Sequence, residues 1–203
     1  MISIIDYGLG NILAFSNIYS RLNIPITVAR SNSDLKEATK LILPGVGSFD
    51  HAIQLLEKSG MKNTINEMVI DKEIPILGIC VGMQILAQSS EEGNLPGLGW
   101  IEGSVKKFQF NNTLGAYLPH MGWNDVKSRE TGSLFKNLEA ESRFYFLHSF
   151  YFECADSENI LATTEYFGEF TCAVRKNNIF GVQFHPEKSH HFGSQLLKNF
   201  AEI

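Results

Sequence analysis

A cysteine flanked by two glycines is the feature of this chain best suited to chemistry. Cys80 stands in the stretch PILGICVGMQ, between Gly78 and Gly82, where an apolar strand-like run meets a helical pattern. A sharp strand-to-helix turn can present its middle side chain at the edge of a sheet, and glycine neighbours make room for it. The N-terminal end of a helix also favours a thiolate, because its free N–H groups and its dipole stabilise negative charge. We therefore interpret Cys80 as a candidate nucleophile, against the alternative that it is a small buried apolar residue.

A base for such a nucleophile stands near the C-terminus, in the stretch FGVQFHPEKSHH. Side chains two positions apart project from the same face of an extended segment, and Pro186 favours extended backbone at His185. His185 could therefore accept the proton of the thiol, while Glu187 fixes the tautomer of the imidazole ring. The three residues together would form a Cys-His-Glu triad.

The same stretch also contains His190 and His191, so a metal site is the competing interpretation. A helical zinc motif needs histidines one turn apart on one face, whereas Pro186 opposes a continuous helix through His185 and Glu187. We expect no metal here, and we expect His190 and His191 to form the solvent-exposed start of the last helix.

The elements that must position these residues follow from the apolar periodicity. In the first half, strand-like segments at 2–6, 26–30, 40–45 and 74–80 alternate with helical patterns at 12–22, 49–58, 61–70 and directly after Cys80. Continuous apolar strands separated by helices indicate a parallel sheet covered on both faces, with its ligands beyond the carboxyl ends of the strands. The nucleophile lies at such an end.

The pattern changes after residue 95, where short strands predominate. They are predicted near 99–108, 116–118, 143–153, 160–166, 170–176 and 179–184, and a final helix over 189–203. Asn111-Asn112 and Asn177-Asn178 are turn signals, and the second pair is expected to close a hairpin. The sequence thus predicts one α/β domain over residues 1–203, with a mixed, mostly parallel central sheet and helices on both faces.

Composition excludes several classes of protein. The formal charge of −5 argues against a nucleic-acid binder, which usually carries a basic stripe. No apolar run approaches the roughly 20 residues of a membrane helix, and the N-terminus lacks the basic region of a signal peptide. Three widely spaced cysteines cannot all pair within the chain, which favours reduced thiols in the cytoplasm. Cys154 and Cys172 lack flanking glycines, and we interpret both as packing residues.

The two motifs together resemble those of the class I, triad-type glutamine amidotransferases. Gly-x-Cys-x-Gly with Gln84 behind it, followed much later by His185-Pro186-Glu187, is the pattern of that family on an α/β frame. Further segments are similar to the glutaminase-subunit family of imidazole glycerol phosphate synthase, and they span nearly the whole chain: IIDYGLGN (4–11), LPGVGSFD (43–50), SEEGNLPGLGWI (90–101), LPHMGWN (118–124), FYFLHSF (144–150) and FHPEKS (184–189).

The resemblance implies a flavodoxin-like fold and a specific activity. Such subunits hydrolyse L-glutamine to glutamate and ammonia without a cofactor. They pass the ammonia to a (β/α)8-barrel cyclase subunit, which makes imidazole glycerol phosphate and an aminoimidazole carboxamide ribotide in histidine biosynthesis. It also implies that Gln84, Glu92 and Ser149 hold or border the glutamine, and that Asn11, Tyr145 and Lys188 lie near the partner. Met121 and Trp123, beside Gly122, are predicted to form an exposed interface loop; the alternative is that Trp123 belongs to the core.

The oxyanion hole is expected to involve the backbone of Val46, Gly47 and Val81. Related enzymes usually have a Gly-Gly pair after the proline, whereas this chain has Pro44-Gly45-Val46-Gly47. Because a β-branched residue resists the positive φ that glycine accepts, we hypothesise that the Val46–Gly47 region rests with its donor N–H turned away. Partner and acceptor binding would then complete the hole.

Two departures from the family pattern leave the acceptor pathway open. His190-His191-Phe192-Gly193 follows the HPEKS segment, where the family usually has a small residue and charged ones, and Phe150 replaces a common tyrosine. One alternative is the same glutaminase supplying a barrel-type relative in surface-sugar acetamidino synthesis. Others are a self-contained γ-glutamyl hydrolase and a non-catalytic binding module, although the intact triad argues against the module.

Overall fold

A computed structural model describes residues 1–109, 117–139 and 142–203. Twelve strands lie within these ranges: β1 Ile2–Ile5, β2 Ile26–Ala29, β3 Lys40–Gly45, β4 Ile76–Cys80, β5 Ser89–Ser90, β6 Gly103–Lys107, β7 His120–Ser128, β8 Ser142–His148, β9 Phe150–Cys154, β10 Ile160–Glu165, β11 Glu169–Lys176 and β12 Ile179–Val182. The α-helices there are α1 Ile12–Arg21, α2 Phe49–Lys58, α3 Lys62–Asn66, α4 Val81–Gln84 and α5 His190–Glu202.

Nine of these strands form a central sheet in the order β2-β1-β3-β4-β12-β11-β10-β7-β8. Along this order, the neighbouring strands β2, β1, β3, β4 and β12 pair in parallel. The remaining pairs, from β12–β11 to β7–β8, are antiparallel. A small second sheet of β5, β6 and β9 lies beside it. The mixed sheet with its packed helices confirms the predicted α/β class. It also brings β4 and β12, which carry the two predicted motifs, next to each other at its centre.

The helices pack through the apolar faces that their periodicity predicts. Helix α1 buries Phe15, Ile18 and Tyr19. Tyr19 is fully buried, and its hydroxyl donates to the carbonyl of Leu197 in α5 at 3.0 Å. This bond joins α1 to α5 and anchors α5 to the core of the molecule. None of the helices in the described ranges combines the length and apolar character needed to cross a membrane.

The predicted elements of the first half agree with the structure within a few residues. The Asn177-Asn178 pair does close a hairpin between β11 and β12, and Asn177 has the positive φ of +54° that such a turn needs. The pattern at 61–70 divides into α3 and a wider π-helical turn over Glu67–Asp71. Asn111-Asn112 lies outside the described residues.

The second half contains three differences from the sequence prediction. Residues 117 and 118 are not in a strand, and the strand instead begins at His120. Strand β7 was missed because only His120 and Val126 along it are buried, so it lacks the apolar alternation of a half-buried strand. The predicted strand over 143–153 is broken at Ser149 into β8 and β9, which belong to different sheets.

Candidate active site

Cys80 occupies the sharp turn that its glycine neighbours predicted. It ends β4, α4 begins at the next residue, and its φ of +55° with ψ of −114° is a conformation that non-glycine residues rarely adopt. A Cβ on Gly78 would lie 2.6 Å from the carbonyl oxygen of Gly82, and one on Gly82 would clash with the carbonyl oxygen of Leu43. Both glycines are therefore required for the chain to turn this tightly, and the turn presents the Cys80 thiol at the sheet edge.

The other two cysteines have the properties of packing residues. Cys172 is completely buried and Cys154 is half-buried. Burial raises the pKa of Cys154 to about 12 and that of Cys172 well above its ordinary value. Both thiols therefore stay protonated at neutral pH, which suits inert side chains.

His185 and Glu187 form the buried pair that the sequence predicted. His185 Nδ1 donates to Glu187 Oε1 at 2.9 Å, and the two side chains are only 4% and 3% exposed. This bond fixes the tautomer and leaves Nε2 for the thiol. Burial by itself lowers the pKa of His185, but its hydrogen bonds to Cys80 and Glu187 and the charges of both outweigh burial and raise that pKa above its ordinary value. The imidazolium form is thus favoured beside the cysteine.

The turn that carries this pair is held against strand β8. The backbone N–H of His185 donates to the carbonyl of Tyr145 at 2.8 Å. The Ser189 hydroxyl accepts the N–H of Tyr145 at 3.0 Å and donates to the carbonyl of His185 at 2.6 Å. Since Ser189 is fully buried, these bonds fix the 185–189 turn, and they explain why Glu187 faces the imidazole.

A pocket of about 310 Å³ opens in front of Cys80. Its wall contains all but one of the residues predicted for catalysis, oxyanion binding or substrate binding: Val46, Gly47, Cys80, Val81, Gln84, Glu92, Ser149 and His185. The exception is Glu187, which bonds to Nδ1 of His185. Three larger grooves lie elsewhere among the described residues. Those of about 460 and 550 Å³ contain no triad residue, and one of about 370 Å³ contains Glu187 but neither Cys80 nor His185. The smaller pocket is therefore the candidate active site.

Gln84 is held rigidly on the wall of the pocket. Its side-chain nitrogen donates to the carbonyl of Phe150 at 3.1 Å and to Gln183 Oε1 at 3.0 Å. Both of its N–H groups are thereby engaged, which leaves the carbonyl oxygen as the group it can offer to a ligand.

Glu92 is held by the start of a helix. Its Oε2 accepts the backbone N–H of Phe49, the first residue of α2, at 2.7 Å. In the same helix, the two carboxylate oxygens of Asp50 share the backbone N–H of Asn94, at 3.1 and 3.0 Å. Asp50 Oδ1 also accepts the N–H of Leu95 at 3.0 Å. Asp50 was not predicted, yet it secures the loop that places the Glu92 carboxylate in the pocket.

The predicted oxyanion residues lie directly beside the nucleophile. Gly45, the last residue of β3, is in register with Cys80, and the Val46–Gly47 loop follows it. Gly47 has φ of +95° with open space around it, so its backbone conformation is the reason for a glycine there. The buried Tyr7 hydroxyl donates to the carbonyl of Pro44 at 2.8 Å and anchors the base of this loop.

Among the predicted partner-facing residues, Lys188 lines the pocket, and the rings of Trp123 and Tyr145 lie 6.2 Å apart. Met121 and Trp123 are 64% and 39% exposed, so the interpretation of Trp123 as a core residue is wrong. They lie on β7 rather than on a loop, because Trp123 pairs with Tyr145 across to β8, which corrects the predicted loop. The Lys188 ammonium lies 5.6 Å from the centre of the Tyr145 ring. Asn11 caps α1 by accepting the N–H of Ala14 at 3.3 Å, and its side chain is exposed.

The structure divides the histidine cluster into separate environments. His185 faces the thiol, whereas the exposed His190 stacks on the Trp123 indole with ring centres 5.0 Å apart and planes 10° apart. His191 packs against Phe192, with ring centres 4.0 Å apart. His190 and His191 do open α5, as predicted.

The whole chain corresponds to one known family. The family model described as glutamine amidotransferase class-I matches residues 3–203. The chain belongs to the class-I glutamine amidotransferases. It is therefore a glutamine amidotransferase enzyme, as the sequence motifs predicted.

Individual relatives of this glutamine amidotransferase are similar along their full length. A protein of Bdellovibrio bacteriovorus named imidazole glycerol phosphate synthase subunit HisH is 58% identical over 100% of both chains. A protein of the same name from Leptospira borgpetersenii is 52% identical, again over 100% of both. The fold matches a crystal structure titled glutamine amidotransferase with a TM-score of 0.74 at 19% identity, covering 100% of this chain and 99% of the other.

A buried pair of histidines beside the pocket was missed by the sequence analysis. His148 Nδ1 lies 2.7 Å from the carbonyl of Phe150, which can only accept, so His148 donates there and its Nε2 is an acceptor. His120 Nδ1, 2.9 Å from that nitrogen, must then be the donor. Burial lowers the pKa of His120 to about 4 and, with smaller effects from neighbours, that of His148 to about 3. Two neutral imidazoles therefore support the Phe150 carbonyl, which also holds Gln84.

Proposed function

We propose that this chain is the glutaminase subunit of an imidazole glycerol phosphate synthase, acting in the cytoplasm with a Cys80-His185-Glu187 triad. The observation that carries the proposal is the buried His185–Glu187 pair, 2.9 Å apart, whose histidine lines the same pocket as a cysteine in a strained turn. The names of its full-length relatives support the histidine pathway.

The first half of the reaction forms a thioester. The Cys80 sulfur attacks the side-chain amide carbon of glutamine, and His185 holds the proton that the thiol has lost. As the tetrahedral intermediate collapses, the carbon–nitrogen bond breaks and His185 Nε2 delivers that proton to the leaving nitrogen. Ammonia departs and a glutamyl thioester remains on Cys80. Glu187 stabilises the imidazolium throughout, because its carboxylate stays bonded to Nδ1.

The second half releases glutamate. Neutral His185 takes a proton from a water molecule as the water oxygen bonds to the thioester carbon. The carbon–sulfur bond then breaks, and the proton on His185 balances the charge of the departing thiolate. The N–H of Val81 and a donor from the Val46–Gly47 loop stabilise the oxyanion in both halves.

Substrate binding uses the two fixed polar groups of the pocket. The carbonyl oxygen of Gln84 and the carboxylate of Glu92 are acceptors that suit the α-ammonium and amide N–H groups of glutamine. Ser149 lies at the break between β8 and β9 and borders the same space. The hydrogen-bond partner of Glu92, the Phe49 N–H, is neutral and leaves the carboxylate charge unbalanced. Glu92 can therefore pair with a cationic group of the substrate.

The ammonia passes to a cyclase subunit with a (β/α)8-barrel fold, which binds the group of predicted partner-facing residues. That group consists of Asn11, Met121, Trp123, Tyr145 and Lys188. Large exposed apolar side chains beside a lysine are typical of the centre of a protein interface. An interface that excludes water protects free ammonia from loss and protonation.

The test is to measure ammonia release and synthesis with the recovered barrel partner. Cys80→Ala should abolish glutamine-dependent synthesis, while synthesis from added ammonia should persist because acceptor chemistry belongs to the other subunit. Loss of both activities would contradict this division of labour. Offering the complex both the histidine-pathway nucleotide and surface-sugar acceptors distinguishes the two pathways, and full glutaminase activity without any partner would favour a γ-glutamyl hydrolase.

A further inference from the structure

Gln183 links the nucleophile to the substrate-binding wall. It lies two residues before His185, it is completely buried, and its backbone N–H donates to the carbonyl of Cys172 at 2.8 Å. Its side-chain nitrogen lies 3.7 Å from the Cys80 sulfur, and its oxygen accepts from Gln84 at 3.0 Å. One amide group therefore touches two residues of the catalytic site at once.

The orientation of this amide follows from its neighbours. The Phe150 carbonyl can only accept, so the group of Gln84 that approaches it must be the nitrogen. The same nitrogen also donates to the side chain of Gln183, so the Gln183 atom that accepts must be its oxygen. The nitrogen of Gln183 is then the end that faces the sulfur, and it can only donate there. The hydrogen-bond network thus determines the direction of the N–H···S contact.

We propose that Gln183 is a positioning residue whose side-chain N–H stabilises the thiolate of Cys80 and whose oxygen locks Gln84. A hydrogen bond to an ionised acceptor is stronger than one to a neutral acceptor, so this contact favours the thiolate over the thiol. Because Gln183 is completely buried, removing its amide donor takes away a hydrogen bond in a low-dielectric environment, which is costly. The effect on Gln84 rests on the proposed glutaminase function, whereas the effect on the thiol does not.

Two substitutions separate the two roles. Gln183→Glu keeps an oxygen that can accept from Gln84, but it replaces the donor at the sulfur by an acceptor. Gln183→Met fills a similar volume and removes both contacts. We expect both variants to lower kcat by about tenfold or more, since hydrogen bonds to charged groups have roughly this value. KM for glutamine should rise in the Met variant and change little in the Glu variant.

The readout for the thiol is alkylation of Cys80 by iodoacetamide as a function of pH, followed by mass spectrometry of the Cys80 peptide. The midpoint should move upward by about one pH unit in both variants. Asn199→Leu is the matched control, because Asn199 is another buried amide with three side-chain hydrogen bonds. Its nitrogen donates to the carbonyls of Leu134 and Lys136, its oxygen accepts from Gln195, and it does not bond to the thiol. It should lower stability and leave the alkylation midpoint unchanged.

The possible outcomes decide between roles. An unchanged midpoint in both Gln183 variants, or an equal shift in the Asn199 control, would overturn the proposal and leave Gln183 as a packing residue. A shifted midpoint with no glutamine turnover even in the wild-type complex would support the thiolate role and reject the glutaminase function. The two failures are therefore distinguishable.

Discussion

His190 stacks face to face on Trp123, with ring centres 5.0 Å apart and planes 10° apart. The tryptophan belongs to the proposed partner surface. The stack therefore restricts the exposed Trp123 side chain, which could otherwise adopt several rotamers. A preorganised side chain costs less entropy when a partner binds.

Replacing His190 should consequently weaken partner binding without touching the triad. His190→Asn is the suitable change, because this position has φ of +48° and asparagine tolerates that conformation. We expect the dissociation constant of the complex to rise about two- to tenfold, the usual value of an aromatic pair, measured by calorimetry. His191→Asn, whose parent ring packs on Phe192 instead, should have no such effect. Equal affinities for wild type and His190→Asn would show that the stack has no role in binding.

Acid should destabilise the fold through the buried pair of His120 and His148. Their pKa values are lowered to about 4 and about 3, mainly by burial, whereas unfolded histidine titrates near 6.5. Below pH 6.5 the unfolded state binds more protons, so the stability that is complete above that pH is lost as the pH falls. The free energy of unfolding should fall by about 1.4 kcal/mol per pH unit for each histidine. His185 affects stability in the opposite direction, because its pKa is raised in the folded state. Its contribution is lost as the pH rises, so it adds nothing to the loss of stability in acid.

Urea unfolding between pH 6.5 and 5 measures this slope. His120→Gln removes one of the two groups, and the stability of that variant should depend on pH less steeply than wild type by about 1.4 kcal/mol per unit. Parallel stability curves for the two proteins would contradict the assignment of neutral imidazoles.

Glu187 should contribute to activity far more than to stability. One of its oxygens binds His185, but Oε2 is buried with no hydrogen-bond partner among the described residues. In Glu187→Gln the amide oxygen can still accept from Nδ1 and His185 can lose its proton, so no uncompensated buried charge is left. Glu187→Gln should therefore lower kcat about 100-fold or more, because the charge that stabilises the imidazolium is gone, while the free energy of unfolding changes by about 1 kcal/mol or less. Thermal denaturation with the glutaminase assay tests both, and an active variant would remove Glu187 from the triad.

The sequence predicted the parts of the site that depend on local spacing. Cys80 between its glycines and His185 two residues before Glu187 are patterns of a few positions, and each specifies its own backbone geometry. The parts it missed depend on which strands pair. His120 and His148 meet because β7 and β8 place them directly opposite each other.

Strand β7 itself illustrates the second limit of sequence patterns. The apolar side chains of Met121 and Trp123 point to solvent, which is the reverse of the alternation that predicts a core-facing strand. An exposed apolar pair of this kind therefore obscures the strand pattern in the sequence. Gln183 was overlooked for a related reason: its neighbours Cys80 and Gln84 are distant in sequence and meet it only through the pairing of β4 with β12.

The valine in the oxyanion loop should limit the activity of the isolated subunit. Val46 is 41% exposed and lies between Gly45 and Gly47, so its side chain is not needed for core packing. If its resistance to positive φ keeps the donor N–H turned away, Val46→Gly should raise partner-independent glutaminase activity by about tenfold or more, part of the 10²–10³ that one oxyanion donor contributes. The activity of the full complex should change little, because in the gating hypothesis the partner completes the hole. Val46→Ala is the matched control, since alanine removes the same bulk but still disfavours positive φ, and its basal rate should stay near that of wild type. Equal basal rates in the glycine and alanine variants would assign the effect to side-chain bulk and would refute the backbone mechanism.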